Sequence, residues 1–283
     1  MTLSFDRRLN AVRPDLADLR LQGSVEAAKF VAGEPAAVTA PVVDMRPRPD
    51  PGSGIDTQLL LGEQVLVFER RDGWAWVQAE HDRYVGYVRE DCLGATFGAT
   101  HVVTAPRSFV YPEADMKTPV RRALSMGSKV RIVGEAETRG TRFAVTEAGE
   151  AIILDHMRRI QEPAASDYVS VAARLLETPY LWGGRSGFGI DCSGLVQLAM
   201  QMTGQSAPRD TDMQAEAVGH PIERPELRRG DLVFWKGHVA IVEDEATILH
   251  ANGHTMTVAH ERLDDAIRRI ERLYGLPTGY RRP

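Results

Sequence analysis

Only two of the 283 residues are cysteine, Cys92 and Cys192. So few thiols exclude a disulfide framework, and no C-x-x-C pair supplies an ordinary zinc site. Excess positive charge is missing too. Against 39 acidic residues stand 34 Lys and Arg, a net charge of −5 with no basic block. That leaves no electrostatic case for a nucleic-acid partner. No apolar run approaches the roughly 20 residues that span a bilayer, so no membrane partner is expected. Near the amino terminus Asp6, Arg7, Arg8, Arg13, Asp15, Asp18 and Arg20 interrupt every apolar stretch. A secretory signal needs about 7–15 uninterrupted apolar residues. If Met1 is the true start, the expectation is a cytoplasmic protein. What is present is ordinary for a globular chain of two or three domains: 43% hydrophobic and 26% charged residues.

Residues 1–37 read as a polar arm, with Leu16, Leu19 and Leu21 suggesting one helix packed on the body. Residues 38–98 change to short strands: Val65, Val67 and Glu69 alternate, as do Trp74 and Trp76, with Asp72-Gly73 as the turn between. Residues 99–161 repeat them. Pro47 and Pro112, Gly62 and Gly127, and Val65 and Val130 share one offset of 65 residues. The spacing predicts a tandem duplication of a small β barrel, each copy with about five or six strands. Cys92 is read as a packed residue of the first copy.

Residues 162–283 have another texture. Ser166 or Asp167 caps a helix carrying Val169, Ala172, Ala173, Leu175 and Leu176, which Pro179 ends. A glycine-rich loop then enters Asp191-Cys192-Ser193-Gly194, followed by Leu195, Leu198, Ala199 and Met202 at helical spacing. After a loop at Pro208-Arg209-Asp210-Thr211, strands are expected at 232–235, 238–242 and 247–251, and a surface helix at 262–270. Helices followed by strands read as α+β.

Chemistry concentrates at Cys192. A thiol on the first turn of a helix meets unpaired N–H groups and the positive end of the dipole, which favours the nucleophilic thiolate. Such a nucleophile needs a base, and the base needs a group to orient it. His238 and His250 stand in two strand-like runs joined by the polar Glu243-Asp244-Glu245-Ala246. With the turn centred on Asp244, the two histidines are direct cross-strand partners, about 5 Å apart on one face. The N–H groups of Cys192 and Ser193 are candidates to hold an oxyanion. Zinc held by Cys192, His238 and His250 is a rival reading, although the ligands lack the usual close spacing. A second rival, from another class, is a catalytically silent peptide-binding module.

Asp191-Cys192-Ser193-Gly194, Gly237-His238-Val239-Ala240-Ile241-Val242 and His250-Ala251 resemble the three motifs of the NlpC-type cell-wall cysteine peptidases. The resemblance covers about 120 residues, from Ser166 to the carboxyl terminus. It implies a papain-like α+β catalytic domain, preceded here by two small all-β domains similar to bacterial Src-homology-3-like barrels. The whole arrangement resembles the γ-D-glutamyl-L-diamino acid endopeptidases of murein peptide recycling. The resemblance implies Cys192 as nucleophile, His238 as base and His250 as the group holding its ring, with no metal and no cofactor. It also implies Tyr180 near the oxyanion, and Asp191 and Ser193 receiving the amino-terminal end of the peptide. Asp191 serves equally well as a plain helix cap. Thr211 stands where the family usually has serine. Tyr84, leading Tyr84-Val85-Gly86-Tyr87, matches a tyrosine that closes the far wall of the pocket, and Asp56 is a guess for its acidic companion. The implied partner is a murein peptide, L-Ala-γ-D-Glu-diamino acid. The alternative within the class is an exported peptidoglycan hydrolase with wall-binding barrels.

Overall fold

The computed structural model describes residues 5–163 and 165–283. The chain divides into two compact units, 1–160 and 161–283.

The first unit carries the duplication. Its first barrel has a five-stranded sheet in the order Val85–Arg89, Trp74–Ala79, Gln64–Arg71, Glu34–Val38, Leu93–Gly94, plus the pair Val42–Met45 and Thr57–Leu60. Val38, Met45, Leu59, Val65 and Val77 fill its core. Asp72 and Gly73 both have positive φ, as a two-residue hairpin turn requires. The second barrel has a sheet in the order Arg122–Ser125, Arg107–Tyr111, Ala151–Ile153, Thr141–Thr146, Ile132–Thr138.

The 65-residue offset reappears in the backbone bonding. Gly62 N–H donates to Val38 C=O, and Gly127 N–H to Val103 C=O, both at 2.9 Å. Val38 N–H donates to Glu63 C=O, and Val103 N–H to Ser128 C=O. The ladder slips between Val67 and Glu69 in one copy and between Ile132 and Gly134 in the other. Both Gly62 and Gly127 hold positive φ, which is why glycine stands at this turn in each copy.

Two expectations need correction. The first barrel begins at Glu34 rather than Val38: Glu34 pairs with Val67 and Pro35 with Leu66. Glu-Pro-Ala-Ala carries no alternating pattern, so this strand is invisible to periodicity. Among the described residues of the arm no α-helix forms. Instead Ala17–Asp18 pairs in parallel with Phe30–Val31, and a short 3₁₀ turn spans Leu19–Leu21. Pro14 and Gly23 break any helical register. Ala11 and Leu16 pack against Phe68, Trp76 and Val85, so tertiary contacts fix the arm.

Among the described residues, the second unit sets four α-helices, α1 (Tyr168–Ala173), α2 (Cys192–Met202), α3 (Thr211–Ala217) and α4 (Leu263–Tyr274), with a six-stranded antiparallel sheet. We number its strands β1 (His220–Ile222), β2 (Leu232–Trp235), β3 (His238–Val242), β4 (Thr247–Asn252), β5 (Thr257–Arg262) and β6 (Gly279–Arg282). The sheet order is β1-β6-β2-β3-β4-β5. Asp167 caps α1 by accepting from Val169 and Ser170 N–H. Buried Leu263, Ala266, Ile267 and Ile270 form one stripe of α4, packed on Val233, Trp235, Ala240, Val242 and Ile248 of the sheet. The segment after Asp210, read as loop, is helix α3. Its Thr-Asp-Met-Gln-Ala-Glu-Ala carries only one large apolar residue, too little for a period to emerge.

Candidate active site

The cap of α2 brings the first group of residues together. Asp191 Oδ1 accepts from Gly194 N–H at 2.7 Å and its Oδ2 from Gly183 N–H at 2.9 Å. Arg209 grips the same carboxylate at both oxygens, at 3.0 and 2.7 Å, and bonds Ser193 Oγ at 2.8 Å. Its side chain is 1% exposed. The expectation gave Arg209 no role, because an arginine in a Pro-Arg-Asp-Thr loop reads as a solvated charge. Asp191 is therefore a helix cap, as the simpler alternative had it, and its negative charge is balanced inside the protein. Gln214 bonds the C=O of Ser193 and of Pro208, which ties α3 to the start of α2.

Cys192 is the first residue of α2 and is buried. Val239 N–H bonds its sulfur, placing Sγ against the start of β3, next to His238. Thr211 Oγ1 lies 3.8 Å from Sγ. Tyr180 sits close enough for Cys192 and Asp191 to act on it: burial and those two charges raise its hydroxyl well above the phenol range. The first helical N–H groups, of Cys192 and Ser193, have no partner within the helix, whereas that of Gly194 belongs to Asp191.

The two histidines meet, by a register different from the one expected. Ile241 pairs with Leu249 and Val242 with Ile248, so the hairpin centres on Glu245 rather than Asp244. Asp244 causes the shift. Its Oδ1 caps Ala246 and Thr247 N–H, making it a turn-starting residue rather than the turn centre. His238 and His250 are thus diagonal neighbours on one face, still within reach of long side chains. His238 Nε2 lies 2.9 Å from His250 Nδ1, with ring centroids 5.1 Å apart. Trp235 also packs against the His238 ring, with centroids 5.7 Å apart. Among the described residues no cluster of three or more His, Cys, Asp and Glu has metal-binding geometry.

Charges at the site differ from the helix-dipole expectation. Burial, helped by the Asp191 carboxylate, pushes the Cys192 thiol up to about 11, against the bonds from Val239 and Thr211. Burial and then His250 hold His238 well below the ordinary imidazole range. Asp191 capping places an anion at the helix end that the sequence offered as positive. Both shifts favour the neutral form of the thiol and of the imidazole at rest.

Tyr84 and Asp56 belong to the first unit. The Tyr84 ring packs in the core of its own barrel, with Asp82 accepting from its N–H. Cys92 is half-buried at the edge of that core.

An α+β unit with a cysteine opening a helix, and a sheet histidine oriented by a second, defines a papain-like cysteine peptidase. Residues 177–269 match the NlpC/P60 family, and residues 45–93 match the bacterial dipeptidyl-peptidase Sh3 domain. A Bacillus subtilis protein named gamma-D-glutamyl-L-lysine dipeptidyl-peptidase is 30% identical over 220 residues, 70% of this chain and 72% of that one. Dipeptidyl-peptidase 6 of Lysinibacillus sphaericus is 27% identical over 77% of this chain and 87% of its own. The crystal structure of an NlpC/P60 family protein from Bacillus cereus has the same fold. Its TM-score is 0.72 at 22% identity, covering 88% of this chain and 99% of that one. The chain belongs to the NlpC/P60 family of peptidases, with an Src-homology-3-like domain ahead of its papain-like domain.

Proposed function

We propose that this protein is a cysteine endopeptidase that cuts the γ-D-glutamyl–diamino acid bond of murein peptides with a free amino-terminal L-alanine. In this reading it works in the cytoplasm on recycled wall peptides. The observation that carries the chemistry is the 2.9 Å link from His238 Nε2 to His250 Nδ1, on the strand whose Val239 N–H bonds Cys192 Sγ. His238 Nδ1 takes the thiol proton as sulfur attacks the isopeptide carbon, and returns it to the leaving amine. Drawing the proton off during attack suits a thiol held neutral at rest. Helix-start N–H groups and Tyr180 hold the oxyanion.

The substrate follows from the names of the relatives, gamma-D-glutamyl-L-lysine dipeptidyl-peptidases. A peptidase that releases a dipeptide reads a free amino terminus. Asp191, Ser193 and Thr211 serve that end of the peptide. Because Arg209 already pairs with Asp191, the ammonium meets an Asp–Arg dipole rather than a bare anion. The test is mass spectrometry of protein incubated with L-Ala-γ-D-Glu-diaminopimelate and with its L-lysine counterpart, beside a Cys192→Ala control. Release of L-Ala-D-Glu by the wild type alone supports the reading. Cleavage of intact sacculus in preference to free peptide favours the exported hydrolase.

A further inference from the structure

His250 meets His238 through Nδ1, and its second ring nitrogen faces a charge. The His250 side chain is fully buried, and its Nε2 lies 3.1 Å from Glu261 Oε2 on β5. The contact is bent, short of a well-aligned hydrogen bond. Glu261 is itself clamped by Arg269 of α4, with Nε to Oε1 at 2.9 Å and Nη2 to Oε2 at 2.6 Å. Burial works to raise the Glu261 carboxyl, but His250 and Arg269 win and hold it at about 2. It is an anion at any working pH, able only to accept.

A chain of tautomers follows. We infer that Glu261, held by Arg269, is a positioning residue that fixes which nitrogen of each site histidine carries its proton. A neutral His250 facing a carboxylate at Nε2 keeps its proton there. Its Nδ1 is then bare and accepts from His238 Nε2–H. That leaves His238 Nδ1 bare, the only ring nitrogen still able to take the Cys192 proton. The opposite tautomer of His250 would donate to His238 Nε2, put the proton of His238 on Nδ1, and remove the base. When His238 becomes imidazolium, the same chain leads its charge toward the carboxylate. The groups facing His250 are His238 from β3, Glu261 from β5, Arg269 from α4, and His254 from the turn after β4.

The activity part of the test rests on the peptidase reading above; the tautomer part does not. The full chain, labelled with ¹⁵N at histidine, gives ring-nitrogen shifts for each residue at neutral pH. The expected wild-type result is a proton on Nε2 and a bare Nδ1 in both His238 and His250. A wild-type His250 protonated on Nδ1 overturns the inference without any variant. Glu261→Gln keeps shape and removes the charge. It is expected to shift both rings toward the Nδ1–H form and lower kcat for the γ-D-Glu-L-Lys peptide by about tenfold or more, with KM little changed. Unchanged ring shifts and kcat within twofold of wild type would make Glu261 a structural residue only. If wild type fails to cut the peptide but the shifts behave as stated, the substrate reading falls and the positioning role stands.

Discussion

Arg209 and Asp191 form a two-point ion pair, 2.7 and 3.0 Å, buried at the start of the helix whose first residue is Cys192. The pair does three jobs in one place. It caps α2, balances a charge beside the thiol, and orients the Ser193 hydroxyl. Breaking a buried pair by removing one partner costs about 3–5 kcal/mol, since the other charge is left stranded. Arg209→Met should therefore lower the unfolding free energy of the second unit by that amount in urea titrations. A loss below about 1 kcal/mol would show that Asp191 finds another partner.

Activity should separate the three site residues. Cys192→Ala is expected to abolish peptide cleavage with the circular dichroism spectrum unchanged. His238→Ala should be nearly as severe, because members of one catalytic unit are not additive. His250→Ala should be milder, since it orients the base and touches no substrate atom. Wild-type rates in Cys192→Ala would remove the cysteine from the mechanism.

Alkylation of Cys192 by iodoacetamide reads the thiol directly. Burial and Asp191 raise its pKa toward about 11, so the thiolate fraction at neutral pH falls below that of a free cysteine, whose midpoint is about 8.5. The rate should climb through a midpoint above that value. A plateau already reached below pH 7 would mean a resting thiolate–imidazolium pair, the state the helix start alone suggests.

Glu261 links pH to stability. Its folded pKa of about 2 lies below the ordinary glutamate value of 4.5, so it stabilises the fold above the unfolded pKa. That contribution is lost as pH falls from about 4.5 through 2. The difference in melting temperature between wild type and Glu261→Gln should shrink over this window. A difference constant from pH 6 to 2.5 would show that the carboxylate is not preferentially ionised in the folded state.

Selection for a free amino terminus can be measured with matched free and N-acetylated L-Ala-γ-D-Glu-L-Lys. Losing a charged hydrogen bond at a partly dry site costs about 2–5 kcal/mol, and 1.4 kcal/mol is tenfold. Because Arg209 offsets Asp191, the expected drop in kcat/KM lies near the lower end, about 30-fold. Agreement within threefold would mean that the pocket is open at that end.

Local pattern was enough wherever chemistry and period coincide in one stretch. The strands at 232–235 and 238–242, a cap at Ser166 or Asp167 and the cysteine at the first turn of α2 were all legible, since each depends on neighbours within a few residues. The duplication was legible because a common offset survives divergence. The arm was misread and α3 missed, because Ala11 and Leu16 are held by distant Phe68 and Trp76, and α3 by Gln214 bonds to Ser193 and Pro208.

The sequence by itself singled out Cys192, His238 and His250, because a helix-start cysteine and a pair of strand histidines show their pattern in their own neighbourhoods. Only the tertiary structure decided what those groups are held by. Arg209 lies 18 positions from Asp191 in the chain, and Glu261 eleven from His250, on elements that no local period connects. An exposed arginine and a buried one look alike in a sequence. Burial, set by packing against distant elements, turns one into a solvated charge and the other into a clamp on the catalytic helix.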